Sequence, residues 1–481
     1  MSDVKTPNAM YIDGVWTGAS DGGTMDLINP ATEEVVDRVP KATAADLDRA
    51  LAAADRAWRT WREVDAWTRS AALRRVATLM RERCADIAAV MTEEQGKPLA
   101  EAKGETNAAA DQFDWYADEA RHIYGRTVDA HSRAHRILVW REPIGPVAAF
   151  SPWNFPALLP ARKVAPAVAA GCSVIVKPAS EAPRTMLCIA QACHDAGIPA
   201  GVVNVVTGSS SFITPYLIAS PVIRKVTLTG SVPIGQELLR LCAEGLKPCT
   251  MELGGHSPVL VFEDADVEKA AEICARGKFR NMGQVCISAS RFYVQESVCG
   301  RFVKKFVEVA KSLRIGNGMD PQTDVGPLAN KRRFDATEAF VQDAVQKGAK
   351  LECGGRRAAQ FAKGFFFQPT VLSNVDQSMS IMHEEPFCPV APIAPFSDLA
   401  DGLAKANSTE FGLAGYIFTQ NTRTAFLAAE GIEAGMIGVN NLVIATAEAP
   451  FGGVKKSGFG REGGSEGIEY YTVPKYVNIL L

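Results

Sequence analysis

From about residue 145 the chain alternates short apolar runs with longer amphipathic stretches, and this alternation constrains the fold more than any other feature. "GPVAAF", "CSVIVKP", "GVVNVV", "KVTLTG" and "TMEL" each end in turn residues, and most lead into a helix-period segment. That pattern predicts a doubly wound parallel sheet. The alternation restarts after roughly residue 255 with "SPVLVF", "RFYVQ", "PVAPIAPF", "AGYIF" and "GMIGVN", which implies a second α/β domain. Residues 44 to 95 form a helical lead-in, with Leu73, Val76, Ala77 and Met80 at helical spacing. Two apolar pieces without adjacent helices, "HRILVWR" (135–141) and "KYVNILL" (475–481), lie outside both domains. Such arms pair with each other, add to a neighbouring subunit's sheet, or make an edge hairpin within one chain.

The 481 residues exceed one ordinary core, and 47% hydrophobic against 22% charged residues is the balance of a globular chain. A net charge of −3 and the absence of a long Lys/Arg run argue against nucleic-acid binding. No basic leader with an apolar stretch is visible, and the longest apolar run falls short of the roughly 20 residues that span a bilayer. Eleven cysteines, odd in number and without CxxC pairs, suit a reducing compartment, and the expected location is the cytoplasm. The six histidines include no HExxH, and His122, His131 and His135 fall in a polar stretch, so no metal site is expected.

In open α/β sheets ligands bind beyond the carboxyl ends of the strands. Here those ends carry "SPWNFP", "KPAS", "TGSS", "TGSVPIG" and "ELGG". Gly230 and Gly235 flank the start of a helix whose free N–H groups suit a pyrophosphate. Lys177 ends one strand, within reach of ribose hydroxyls or a phosphate. Glu252 ends another, placed to act as a general base. "GFGREG" (Gly458, Gly460, Gly463) matches GxGxxG, but no strand precedes it and it reads as a loop; Gly453 and Gly458 have P-loop spacing but lead into Phe459 rather than lysine. Cys286 lies beyond a helix read over 266–282, where backbone N–H groups are placed to stabilise a thiolate, yet free cysteine is more often a small buried hydrophobe.

Taken in order, "SPWNFP", "VKPAS", "TLTGSVPIG", "MELGGHSP", "GQVCIS", "EEPFCPV" and "PFGGVKKSGFGREGG" resemble the aldehyde dehydrogenase superfamily over essentially the whole chain. "MTEEQGKPLAEAKGE", "RKVAPAVAAGC" and "KFRNMGQVC" look most like succinate-semialdehyde and oxoglutarate-semialdehyde dehydrogenases. The resemblance implies an α/β fold of two doubly wound Rossmann-type domains plus a small β oligomerisation arm. It divides the chain into an NAD(P)-binding domain (1–121 and 142–254), a catalytic domain (255–456) and the arm (122–141 and 457–481). A homodimer or homotetramer is implied.

The same resemblance implies that Cys286 attacks the aldehyde, that Asn154 and the Cys286 N–H hold the oxyanion, and that Glu252 activates the water that hydrolyses the thioester. Lys177 is placed in the catalytic set and at the adenosine ribose. NADP or NAD is expected to lie along Ser151, Pro152, Trp153, Ser180 and Gly208, then Gly230, Ser231, Gly235 and Leu253, with Glu385 and Phe387 at the nicotinamide end. Ser180 stands where NAD-selective relatives often have Glu, so NADP is accepted, while the neighbouring Glu181 leaves the preference open. Arg162 and Arg280 match arginines directed at a distal carboxylate, with Phe155 and Ala445 lining the substrate pocket. Ala445 replaces a usual Ser and admits a bulkier ω-oxo acid or an aromatic aldehyde. Ser288 removes the second cysteine of a CxC pair, and Cys388 stands where Gly is usual. A cysteine hydrolase using His256 or His383 and a non-catalytic paralogue stand as alternatives, and retention of Glu252 argues against a CoA-acylating enzyme.

Overall fold

The computed structural model describes residues 8–481; the first seven, part of the segment read as lacking a leader, lie outside the described residues. An eight-stranded sheet runs Gly458–Phe459, Cys249–Glu252, Lys225–Thr229, Val147–Phe150, Val174–Lys177, Val203–Val205, Met10–Ile12, Val15–Thr17. Its five central strands are parallel and all start from the alternating apolar runs. Strand Val147–Phe150 lies between Val174–Lys177 and Lys225–Thr229, so the winding reverses there and opens a crevice beyond Phe150 and Thr229.

The second sheet has the order Lys350–Cys353, Thr370–Ser373, Val390–Phe396, Ala289–Gln295, Ser257–Val261, Ala414–Phe418, Met436–Val439. All neighbours are parallel except the first pair. Its central strands Ser257–Val261 and Ala414–Phe418 are buried along their whole length, as expected of a sheet covered by helices on both faces. One continuous apolar core surrounds it, and two further cores flank the first sheet.

The helical lead-in is three helices, Ala44–Trp61, Ala66–Glu82 and Cys84–Gln95. Thr43 caps the first through a reciprocal box with Asp46, and Asp65 caps the second through the N–H groups of Trp67 and Thr68. A fourth helix, Leu99–Glu119, packs against the second. The two arm pieces pair with each other inside one chain. Strand His135–Pro143 runs antiparallel to Thr472–Leu480 along nine matched positions, with Arg126–Val128 as a third strand. Among the described residues no helix is long and apolar enough to cross a membrane.

Two expectations need correction. "GFGREG" is not wholly loop: Gly458–Phe459 adds an antiparallel strand beside Met251 and Glu252. A Cβ on Gly458 would collide with the Met251 carbonyl, so only glycine admits this approach. The helix before Cys286 is Val267–Phe279, not 266–282. Asn281 and Met282 follow in left-handed backbone at φ 46° and 56°, which no helix accommodates.

Candidate active site

The crevice beyond Phe150 and Thr229 opens into a cavity of about 300 Å³. Pro152, Trp153 and Asn154 enter from the first strand end, Gly230 and Ser231 from the second, and Leu253 and Gly254 from the strand ending in Glu252. The second sheet's side contributes Cys286, Glu385 and Phe387. It also contributes Arg332 and Arg333, which were not picked out from the sequence. The first turn of helix Lys331–Gln346 holds no acidic residue. Basic residues there oppose the helix dipole, and that mismatch was the available signal.

Asn154 is held from three directions. Lys97 donates from Nζ to its backbone carbonyl at 2.8 Å, and Asn281 Nδ2 donates to the same oxygen at 3.0 Å. The Asn154 amide in turn donates to the Gln284 carbonyl at 3.1 Å. Lys97 is fully buried with Glu105, which caps the next helix by accepting from the Ala157 and Leu158 N–H groups. The strained Asn281 is pinned by Gln95 Nε2 at 3.0 Å and by its own N–H donating to Glu101. The loop bearing Cys286 is therefore fastened to the first sheet through Asn154.

Cys286 opens onto the cavity in apolar surroundings. Burial pushes its thiol up to about 12, Glu385 and Glu252 add to this, and Arg162 and the Ile287 N–H oppose it. The Ile287 N–H is the smallest of these influences and does not offset burial. Glu252 is 1% exposed, and neither carboxyl oxygen has a partner. Burial and the nearby Glu462 hold it well above the ordinary carboxylate range, against Lys163, Arg162 and Arg461. Glu462 is itself paired with Lys163, whose Nζ donates to Thr229 Oγ1 at 2.7 Å.

Glu385 accepts from the Gly255 N–H at 2.9 Å, and burial pushes its carboxyl up to about 7. Phe387, at φ 45°, meets Trp153 edge-on with ring centres 5.6 Å apart. Lys177, Ser180 and Gly208 form an adjoining polar patch. Lys177 Nζ donates to Ser180 Oγ at 3.2 Å and to Ser210 Oγ at 2.7 Å, while Ser180 Oγ donates to the Gly208 carbonyl at 3.0 Å. Ser210 was also missed from the sequence, hidden in a run of three serines that reads as an ordinary helix start.

Arg162 is 1% exposed, its guanidinium 4.0 Å above the Phe451 ring, with Nε and Nη2 unpartnered. Arg280 is exposed and lies over Phe155 at 5.3 Å. Ala445 is half-buried against the second core. Cys388 is buried, with its carbonyl against the Gly283 α-carbon. The histidines of the hydrolase alternative are engaged elsewhere: both His256 ring nitrogens are bonded, to Ser290 Oγ at 2.8 Å and the Ile381 carbonyl at 2.9 Å, and His383 bonds the Gln377 carbonyl. Among the described residues no cluster of three or more His, Cys, Asp or Glu is arranged to hold a metal.

The aldehyde dehydrogenase family pattern matches residues 16–477. The chain belongs to this family. It is 45% identical over 469 residues to glutarate-semialdehyde dehydrogenase of Pseudomonas putida, covering 98% of this chain and 97% of that one. It is 44% identical to succinate-semialdehyde dehydrogenase (NADP(+)) of Escherichia coli, covering 98% and 97%. A crystal structure of an E. coli NADP dependent enzyme superposes with a TM-score of 0.97 at 43% identity, covering 99% and 98%. As an aldehyde dehydrogenase the chain is an oxidoreductase. Its cavity presents the Cys286 thiol and the Asn154 amide, while the unpartnered Glu252 carboxyl lies buried behind the lining residue Leu253 and acts on the thiol without itself lining the cavity.

Proposed function

We propose that this aldehyde dehydrogenase oxidises an ω-semialdehyde, succinate or glutarate semialdehyde before others, to the dicarboxylic acid with NADP or NAD. The observation that carries the reading is Arg162: a buried guanidinium with two unpartnered nitrogens, close enough to act on both Cys286 and Glu252. A buried cation without an internal partner suits an anion brought by the substrate. Arg280 adds a second cation over Phe155, and the small Ala445 leaves room for a chain longer than succinate semialdehyde.

The residues present fit the dinucleotide. Ser231 caps helix Val232–Glu244 without a side-chain bond, leaving first-turn N–H groups for phosphate. Gly235 lies so close to Leu253 that a Cβ would stand 2.6 Å from its methyl group, letting helix and strand end form one floor. Ser151 Oγ is buried without a partner, and Lys177 with Ser180 and Ser210 offers donors to a 2′-phosphate. Glu385 and Phe387 flank the nicotinamide end. When bound, the nicotinamide supplies the hydride acceptor.

The remaining steps belong to the chain. Cys286 loses its proton to a base and attacks the aldehyde carbon; Glu252, whose carboxyl has no partner and whose charge acts on the thiol, serves as that base. The oxyanion that forms is met by Asn154 Nδ2 and the Cys286 N–H. Once the thioester stands on Cys286, Glu252 takes a proton from water, and the hydroxide releases the acid. Residues 1–121 and 142–254 serve as the cofactor domain and 255–456 as the catalytic domain. The arm of 122–141 and 457–481 serves self-association into a dimer or tetramer. Exposed Trp140, Tyr476, Ile479 and Leu480 on it support that role. Eleven unpaired cysteines support a cytoplasmic setting.

The test is a steady-state comparison of succinate, glutarate and oxoglutarate semialdehydes with hexanal and benzaldehyde, using both cofactors. A charge-assisted contact is worth about 1.5 to 3 kcal/mol, so kcat/KM for the best semialdehyde should exceed hexanal by roughly 10- to 200-fold. Equal values would overturn the substrate assignment.

A further inference from the structure

The reaction chemistry leaves two cations in the cavity unused. Arg332 and Arg333 occupy the first turn of helix Lys331–Gln346 and line the same cavity as Gly230, Ser231 and Cys286. Asn330 caps that helix by accepting the Arg333 N–H, so the turn is well formed and its dipole opposes both guanidiniums. Neither side chain makes a hydrogen bond or ion pair among the described residues, and Arg333 Nε is buried with no partner. Arg333, half-buried with an unpartnered nitrogen and lining the cavity, suits an anion bound there, and the exposed Arg332 beside it on the same lining adds a second positive charge. Among the described residues the Cys388 thiol and the Glu385 carboxyl act on Arg333 at a distance, and that carboxyl already accepts from Gly255. On the cofactor reading the pyrophosphate would sit at the helix start of Ser231, which lines the same cavity as these arginines.

We propose that Arg332 and Arg333 grip the dinucleotide pyrophosphate from the second sheet's side, so that the phosphates lie between two guanidiniums and the helix start at Ser231. The inference rests on the cofactor reading above and adds residues to it. Planar guanidinium forks match phosphate oxygens in pairs, which a single lysine does not. Cofactor affinity then depends on both sheets being in their docked positions.

The experiment measures binding by calorimetry, with no turnover. The probes are NADPH, ADP-ribose, which keeps the pyrophosphate but lacks nicotinamide, and adenosine 2′-monophosphate, which lacks the pyrophosphate. In Arg332→Gln/Arg333→Gln, ADP-ribose affinity should fall by roughly 30-fold while adenosine 2′-monophosphate changes by less than about twofold. Its Tm should not fall, because no internal partner is lost and an unfavourable charge is removed. The double lysine variant should recover part of the loss. ADP-ribose affinity within about threefold of the parent overturns the clamp, and so does a loss confined to a destabilised variant. If the parent binds neither NADPH nor ADP-ribose, the cofactor reading itself fails; if the parent binds both and the variant is unchanged, the clamp alone fails.

Discussion

Lys97 and Asn154 are joined by a buried hydrogen bond from Nζ to the Asn154 carbonyl at 2.8 Å, and the same ammonium is paired with Glu105. Lys97 also lies 4.1 Å from the centre of the Phe155 ring. Asn154, proposed above as the oxyanion donor, is thus held by a lysine remote in sequence. Lys97→Met should leave the Glu105 carboxylate buried without its cation and lower the unfolding free energy by about 3 to 5 kcal/mol. Urea unfolding measures this, and a loss below about 1 kcal/mol would show that the pair does not organise this region. Where the variant folds, kcat should fall more than KM rises.

Lys177 gives a pH signature for NADP. Burial pulls its amine down to about 8, with Glu181 opposing. The ammonium is present below that value and lost above it, so attraction for a 2′-phosphate weakens as pH rises through 8. NADPH affinity should drop by roughly tenfold between pH 7 and 9, by the ~1.5 kcal/mol of a charged hydrogen bond, while NADH affinity changes far less. Fluorescence titration with both nucleotides separates the cases. Parallel curves would remove Lys177 from the 2′-phosphate site.

Much of the fold was legible because the parallel strands are buried on both faces and read as unbroken apolar runs, as in "CSVIV" and "SPVLV". The edge pieces were not. Met10–Ile12, Thr24–Ile28 and Val35–Pro40 are short, and the last two mix exposed and buried positions, so their pairing depends on the finished sheet. The helix before Cys286 was read too long because the residues past Phe279 keep an acceptable composition; only the positive φ of Asn281 and Met282, imposed by partners such as Gln95 and Glu101, ends it. Cys286, Asn154 and Glu252 could be named from motifs. The raised thiol could not, since it comes from groups distant in sequence.

Glu252 and Glu462 supply a second titration. Glu462 is the second cause, after burial, of the raised Glu252 carboxyl. Glu462→Gln removes that negative charge and leaves Lys163 uncompensated, so Glu252 should lose its proton at lower pH. The acid limb of the kcat profile should therefore move to lower pH. A limb that stays in place would mean that another group controls deacylation. Glu252→Gln should give a burst of reduced cofactor followed by a stalled steady state, whereas equal slowing of both phases would count against Glu252 as the deacylating base.

The resting state of Cys286 is open to direct measurement. With the thiol pushed up to about 12, its thiolate fraction at pH 7 is small and grows with each pH unit. Alkylation of Cys286 by iodoacetamide in cofactor-free enzyme, followed by peptide mass spectrometry, should therefore speed up roughly tenfold per unit from pH 7 to 10. Cys286→Ala should lose aldehyde oxidation while keeping cofactor binding. The other cysteines provide internal references, since burial also raises Cys172, Cys188 and Cys193. An alkylation rate that levels off below pH 8 would mean a thiolate already formed at rest. The base step assigned to Glu252 in the first half of the reaction would then be unnecessary, and its role would be confined to hydrolysis of the thioester.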